Sequence, residues 1–259
     1  MSDRGLLEKL RDGARVLIST RGVTMVNERP IVSFTFDGFP KSAALEAAAR
    51  LERQGAAGSF YMSRRFCGAR VAGIEYYDLD DLRRLVDNGH EIGCHTAGYV
   101  RAPSIGSEQL TADLDANAEF IRSQFRDLRM TTFAYPFGDI DMRTKLRMER
   151  RFAACRSTSP GVNAGVADLG ALRAEPLFSR STDAGAVKSL IERSARLRSW
   201  LIFFTHDVGE TPSPYGCTPA LFEHALESAL TLGCQVLPVR NALGCIRFRL
   251  QLERTNSPS

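Results

Sequence analysis

The strongest constraint on this chain is a repeated alternation of short apolar runs with stretches at helical spacing. Strand-like runs fall at Ile31–Phe36, Gly58–Met62, His90–Cys94, Thr131–Tyr135, Phe152–Cys155, Leu172–Leu177, Trp200–Thr205 and Gln235–Val239. Between them, Ser42 to Gln54 carries Leu45, Ala48, Ala49 and Leu51 at helical spacing. Leu79 to Asn88 places Leu79, Leu82, Leu85 and Val86 on one face. Leu110 to Phe125, Asp183 to Leu197 and Pro219 to Leu232 repeat the pattern, and Gly89 and Gly233 mark stops. Parallel strands need crossover connections, which helices supply, so the alternation predicts a parallel sheet covered by helices. Periodicity does not choose between a closed barrel and an open doubly wound sheet. In both, the site lies at the carboxyl ends of the strands.

With 259 residues the chain can bury a sizeable core. The first 30 residues read as one helix, about Leu6 to Leu17, and a connector, while the tail ERTNSPS reads as disordered. The formal net charge of +4 is mild, and the arginines are scattered over several predicted helices, which argues against nucleic-acid binding. No run reaches the roughly 20 apolar residues of a membrane span, and the amino terminus has no apolar signal region. The expectation is a cytoplasmic protein. Six widely spaced cysteines without a C-x-x-C pair then read as reduced, mostly buried thiols rather than a zinc cluster.

Chemistry should therefore sit just beyond the strands. The first strand stops at Asp37-Gly38-Phe39-Pro40, the third runs into His95-Thr96-Ala97-Gly98-Tyr99, the fourth into Tyr135-Pro136-Phe137-Gly138-Asp139, and the penultimate into His206-Asp207. Asp37 alone could be a helix cap. A lone His95 would read first as a core residue, Asp207 as a turn residue, and His90 and His224 as structural. An Asp and two His at three separate strand ends, each beside Thr or Gly, point instead to acid–base work at one convergent site.

On these segments the chain resembles the polysaccharide deacetylases with the NodB-homology domain (carbohydrate esterase family 4), from about Pro30 to Val239. Thr35-Phe36-Asp37-Gly38 stands at the family's T-F-D-D-G motif, and His95-Thr96-Ala97-Gly98-Tyr99 at its H-[ST]-x-x-x-H motif. Tyr135-Pro136-Phe137-Gly138 resembles the aromatic-Pro-aromatic loop, and Leu201 to His206 the apolar strand ending in His. The resemblance implies a single-domain α/β fold, a distorted (β/α) barrel of seven or eight strands. It would span about 31–245, with an N-terminal helix and connector over 1–30 and a tail over 246–259. It also implies removal of acetyl groups from acetylated amino-sugar oligomers or related small amides. The family uses a divalent metal, usually zinc, held by an Asp and two His, which activates water.

Carried over by position, Asp37 is the base, His206 the acid, and His95 a metal ligand. Tyr99, Tyr135, Pro136 and Phe137 are the substrate-binding candidates. The family's metal-binding Asp is Gly38 here, its second metal-binding His is Tyr99, and its third-motif Arg is Ala134. Two of three metal ligands are thus missing. The expectation is a weak, metal-independent or non-hydrolytic saccharide binder. The alternatives are an active metal enzyme with a site rebuilt from Asp37, His95 and either Asp139 or Asp207, and a barrel serving as an interaction module. The four-residue spacing of His95 and Tyr99 would place both on one face of a helical turn.

Overall fold

A computed structural model describes residues 19–249 of the chain. The predicted N-terminal helix and the end of the tail lie outside them. The eight expected strands all form. In chain order the strands are β1 (Gly22–Val26), β2 (Ile31–Asp37), β3 (Ser59–Met62), β4 (Arg70–Val71), β5 (Ile74–Glu75), β6 (Glu91–Cys94), β7 (Thr132–Ala134) and β8 (Ala154–Arg156). Then follow β9 (Val166–Asp168), β10 (Glu175–Pro176), β11 (Trp200–Thr205), β12 (Gln235–Val236) and β13 (Arg247–Arg249). Eight of them build one sheet in the order β10-β11-β2-β3-β6-β7-β8, with β12 also on β2. Every pairing in it is parallel.

The sheet curls until its edges meet. Leu172 N donates to Cys155 O, and Ser157 N to Leu172 O, both at 2.8 Å, so the segment leading into β10 joins β8 to β11. This is a distorted (β/α) barrel. β2 and β11 are buried over their whole length, as parallel strands covered on both faces must be.

The helices are α1 (Ala48–Arg53), entered through a π-helical turn (Ala43–Ala47), α2 (Leu79–Asp87), α3 (Ser107–Gln124), α4 (Met142–Arg151), α5 (Ala184–Arg196), α6 (Pro219–Thr231) and α7 (Val239–Cys245). Asp78 opens α2 with a reciprocal capping box to Asp81. Phe34, Phe36, Phe60, Phe203 and Phe222 stack in the main core. The amino end of α7 plugs the lower mouth of the barrel. There the buried Glu91 accepts from the Ser59 and Thr132 hydroxyls and from Arg240 N, and Val239 N donates to Ser59 Oγ. A carboxylate with this many donors, at a helix amino end, is satisfied without a cation.

Two segments carry more structure than their sequence suggests. The stretch read as a connector contains β1, which pairs antiparallel with β9 and with β13. Helix α4 was not expected, because MRTKLRMERR is mostly charged and buries only Thr144, Lys145 and Met148. No helix among the described residues is long and apolar enough to cross a membrane. The six cysteines are free, four of them buried.

Candidate active site

The upper mouth collects Asp37 from β2, His95 from the loop after β6, and His206 from the end of β11. Asp37 is buried, and both of its oxygens accept from Nη2 of Arg156, a fully buried side chain at the end of β8. Arg156 lies between aromatic faces, its guanidinium carbon 5.0 Å from the Phe204 ring centre and 5.5 Å from that of Tyr61, and its Nη1 donates to Ser157 O at 3.1 Å. Burial works to raise the Asp37 pKa. The charge and hydrogen bonds of Arg156, aided by His95 and His206, outweigh it and leave the group below its usual value. Asp37 is therefore an ionised carboxylate with both oxygens engaged, which makes it a weak base.

Sequence reasoning missed Arg156. Its signal was an arginine immediately after the apolar run Phe152–Cys155. Register explains the placement, because Arg156 is the direct β-partner of Ala134 on β7. Arg156 thus stands level with Ala134, the third-motif position that carries no arginine in this chain.

The two imidazoles sit in the same field. His95 is buried, and its Nδ1 lies 2.8 Å from Ala134 O. A carbonyl only accepts, so Nδ1 carries the proton and Nε2 keeps its lone pair. Burial lowers the His95 pKa to about 4, and it also lowers that of the partly exposed His206. Both rings are neutral at pH 7. This has a stability signature. Because the folded pKa of His95 is depressed, its contribution is complete above pH 6.5 and is lost as pH falls toward 4. Urea denaturation across that window should show about 3 kcal/mol of acid destabilisation from His95 alone. His95→Asn should remove that share of the slope. Equal slopes in wild type and variant would contradict a neutral imidazole.

The loop after β6 is not a helical turn, contrary to the spacing argument. Thr96 and Tyr99 take positive φ values of 62° and 53°, and Phe137 takes 61°. For a β-branched residue such as Thr96 that conformation is strained. Asp113 holds the loop by accepting from Ala97 N at 2.6 Å and Gly98 N at 2.8 Å. The Tyr99 ring still reaches the site, 5.3 Å from His95, 5.1 Å from Phe66 and 4.7 Å from Phe137. A Cβ at Gly38 would stand 3.4 Å from the Tyr99 ring and 3.2 Å from Phe66, so these rings fill the space beyond Gly38. Burial pushes the Tyr99 phenol up to about 12, which keeps it a protonated donor.

The other candidates divide. Phe137 is exposed at the rim beneath Arg101. Tyr135 and Pro136 are not at the rim: both are buried, and the Tyr135 hydroxyl donates to Gly170 O at 3.0 Å. Asp139 pairs with Arg101, and Asp207 accepts from the Ser213 amide and hydroxyl. His90 accepts from Gly58 N and meets Glu52, and His224 meets Ala184 O, both outside the mouth.

The residues at the mouth do not fit a resident divalent metal. Among the described residues, no group of three or more His, Cys, Asp or Glu could hold one. Gly38 has no donor, Tyr99 keeps its proton, and Asp37 is committed to Arg156.

A model of the polysaccharide deacetylase family matches residues 25–151. Over that stretch, a little under half of the chain, the sequence is similar to the polysaccharide deacetylase family. The matched stretch holds Asp37, His95 and the third-motif loop, while Arg156 and His206 lie beyond it. Solved polysaccharide deacetylase structures share the fold. A T48 deacetylase with substrate aligns with a TM-score of 0.59 at 14% identity, over 85% of this chain and 94% of that one. The peptidoglycan deacetylase PdaC from Bacillus subtilis aligns with a TM-score of 0.56 at 14% identity, over 84% and 92%. A CE4-family pseudoenzyme from Bacillus anthracis aligns with a TM-score of 0.58 at 12% identity, over 84% and 66%. No curated protein matches the chain.

Proposed function

We propose that this polysaccharide deacetylase relative binds an acetylated amino-sugar oligomer, or a related small amide, without metal-dependent hydrolysis. The carrying observation is the Asp37–Arg156 pair, which commits the only strand-end carboxylate of the first motif to a guanidinium. A base with both oxygens donated to, and two imidazoles that are neutral at pH 7, supply little drive for amide cleavage. They do suit recognition of an acetamido group. Its N–H needs an acceptor, which His95 Nε2 provides, and its carbonyl needs a donor, which the Tyr99 phenol provides.

The test combines metal analysis, calorimetry and acetate release on protein purified without added zinc. The expected result is substoichiometric metal, measurable binding of chito-oligosaccharide, and acetate release at background. Acetate release that disappears in Asp37→Asn or His206→Ala would overturn the non-hydrolytic reading. One firmly held metal per chain would favour an active enzyme with a rebuilt site. Absence of any saccharide binding would leave the barrel as a scaffold for a partner.

A further inference from the structure

The rim of the mouth has a charge pattern that the acetamido site does not use. Three exposed arginines lie over aromatic rings, two of them over the exposed Phe137 and Tyr215 and one over the buried Phe66. The guanidinium carbon of Arg101 is 4.1 Å from the Phe137 ring centre, that of Arg180 is 5.0 Å from Tyr215, and that of Arg65 is 5.4 Å from Phe66. These rings lead inward. Phe66 and Phe137 both pack on Tyr99, which touches His95, and Tyr215 lies 5.8 Å from His206. Each arginine is therefore one or two rings away from a site imidazole.

Arg101 is neutralised by Asp139. Arg65 and Arg180 have no carboxylate within ion-pair distance among the described residues. Arg65 spends one N–H on Gly98 O at 3.1 Å. A guanidinium set over a ring keeps N–H groups at its edge, and a guanidinium grips a carboxylate with two such bonds. The carboxylates beside the mouth are engaged elsewhere: Asp207 accepts from the Ser213 amide and hydroxyl, Asp113 from the Ala97 and Gly98 amides, and Glu75, Asp78 and Asp81 are tied to Lys41. Deeper in, Asp37 and Arg156 balance and the imidazoles are neutral, while the buried Asp207 adds one negative charge beside His206.

We propose that the ligand is an acidic saccharide, with carboxylates on the sugar units flanking the acetamido group and gripped by Arg65 and Arg180. This rests on the saccharide-binding reading above, and a matched ligand pair separates the two. Calorimetry compares chitotetraose with its C6-carboxylated counterpart, the same chain with uronic acid groups. The carboxylated ligand should bind about tenfold more tightly at low salt. That advantage should shrink as NaCl rises toward ~0.5 M. In Arg65→Gln/Arg180→Gln the advantage should disappear, while Arg65→Lys/Arg180→Lys, which keeps charge but not the fork, should retain part of it. Equal affinity for the two ligands in the wild type would overturn this inference and leave saccharide binding standing. Failure of both ligands to bind would overturn both. A carboxylate preference that survives in the Gln variant would also overturn the assignment to these arginines. Thermal melts of the variants should match the wild type, because both side chains are exposed.

Discussion

Arg156→Ala is expected to cost about 3–5 kcal/mol of folding stability, because it leaves the buried Asp37 carboxylate without its only cation. Arg156 is fully buried and Asp37 nearly so, so water does not screen the pair. The truncation also leaves a gap between the Tyr61 and Phe204 rings, which adds in the same direction. The loss should depend on pH with a definite sign. In the wild type the Asp37 pKa is depressed, so its contribution is present at neutral pH and fades only in strong acid. Without the guanidinium, burial alone acts and raises that pKa. The variant therefore recovers relative to wild type as pH falls and Asp37 takes a proton. Urea denaturation at pH 7 and pH 4 measures this, and a constant difference would mean that packing rather than charge is lost. Placing Ala134→Arg into the same variant returns a guanidinium from the register partner of residue 156, and should restore part of the stability. A second variant, Asp37→Leu/Arg156→Met, removes both charges and should cost less than the single truncation.

Much of this fold is legible in the sequence because the signals are local. An apolar run that stops at Asp or His reads as a strand whatever it pairs with, as Ile31–Phe36 and Trp200–Thr205 do. The same holds for Asp37, His95 and His206, which converge because the barrel brings strand ends together. What was not legible depends on pairing. β1, β9 and β13 are short, and they become strands only by pairing with one another. Arg156 looks like an ordinary charged residue after an apolar run. Its meaning comes from lying opposite Ala134 and reaching Asp37 across 119 positions of sequence. The misplacement of Tyr135 has a similar cause. Alternation along the loop does not reveal that its hydroxyl finds Gly170 O inside the fold.

If Gly38 and Tyr99 are what keep a metal out, then Gly38→Asp/Tyr99→His should let one in. The double variant would offer a new carboxylate at position 38, the native His95 and a new imidazole at position 99. That is a His₂-carboxylate set of the kind that holds catalytic zinc. Much of the arrangement exists already. His95 donates Nδ1–H to Ala134 O, which leaves Nε2 as the ligand atom and fixes the ring, a support that metal-binding histidines usually have. Removing the phenol clears one of the two rings that a Cβ at residue 38 would crowd. Residue 38 has φ +45° and residue 99 has φ 53°, a region that Asp and His tolerate better than most residues, at a backbone cost of about 1–2 kcal/mol each. Micromolar zinc affinity corresponds to about 8 kcal/mol, well above that cost. Elemental analysis after desalting should therefore find close to one zinc per chain in the double variant, with neither single variant approaching it. In Gly38→Asp alone the new carboxylate would face the Tyr99 phenol, and Tyr99→His alone would leave two imidazoles and no carboxylate. A wild type that already carries one zinc would contradict the account of Gly38 and Tyr99. A double variant that carries none would place the obstacle elsewhere, in Arg156, whose charge stands beside the same position and opposes any second cation.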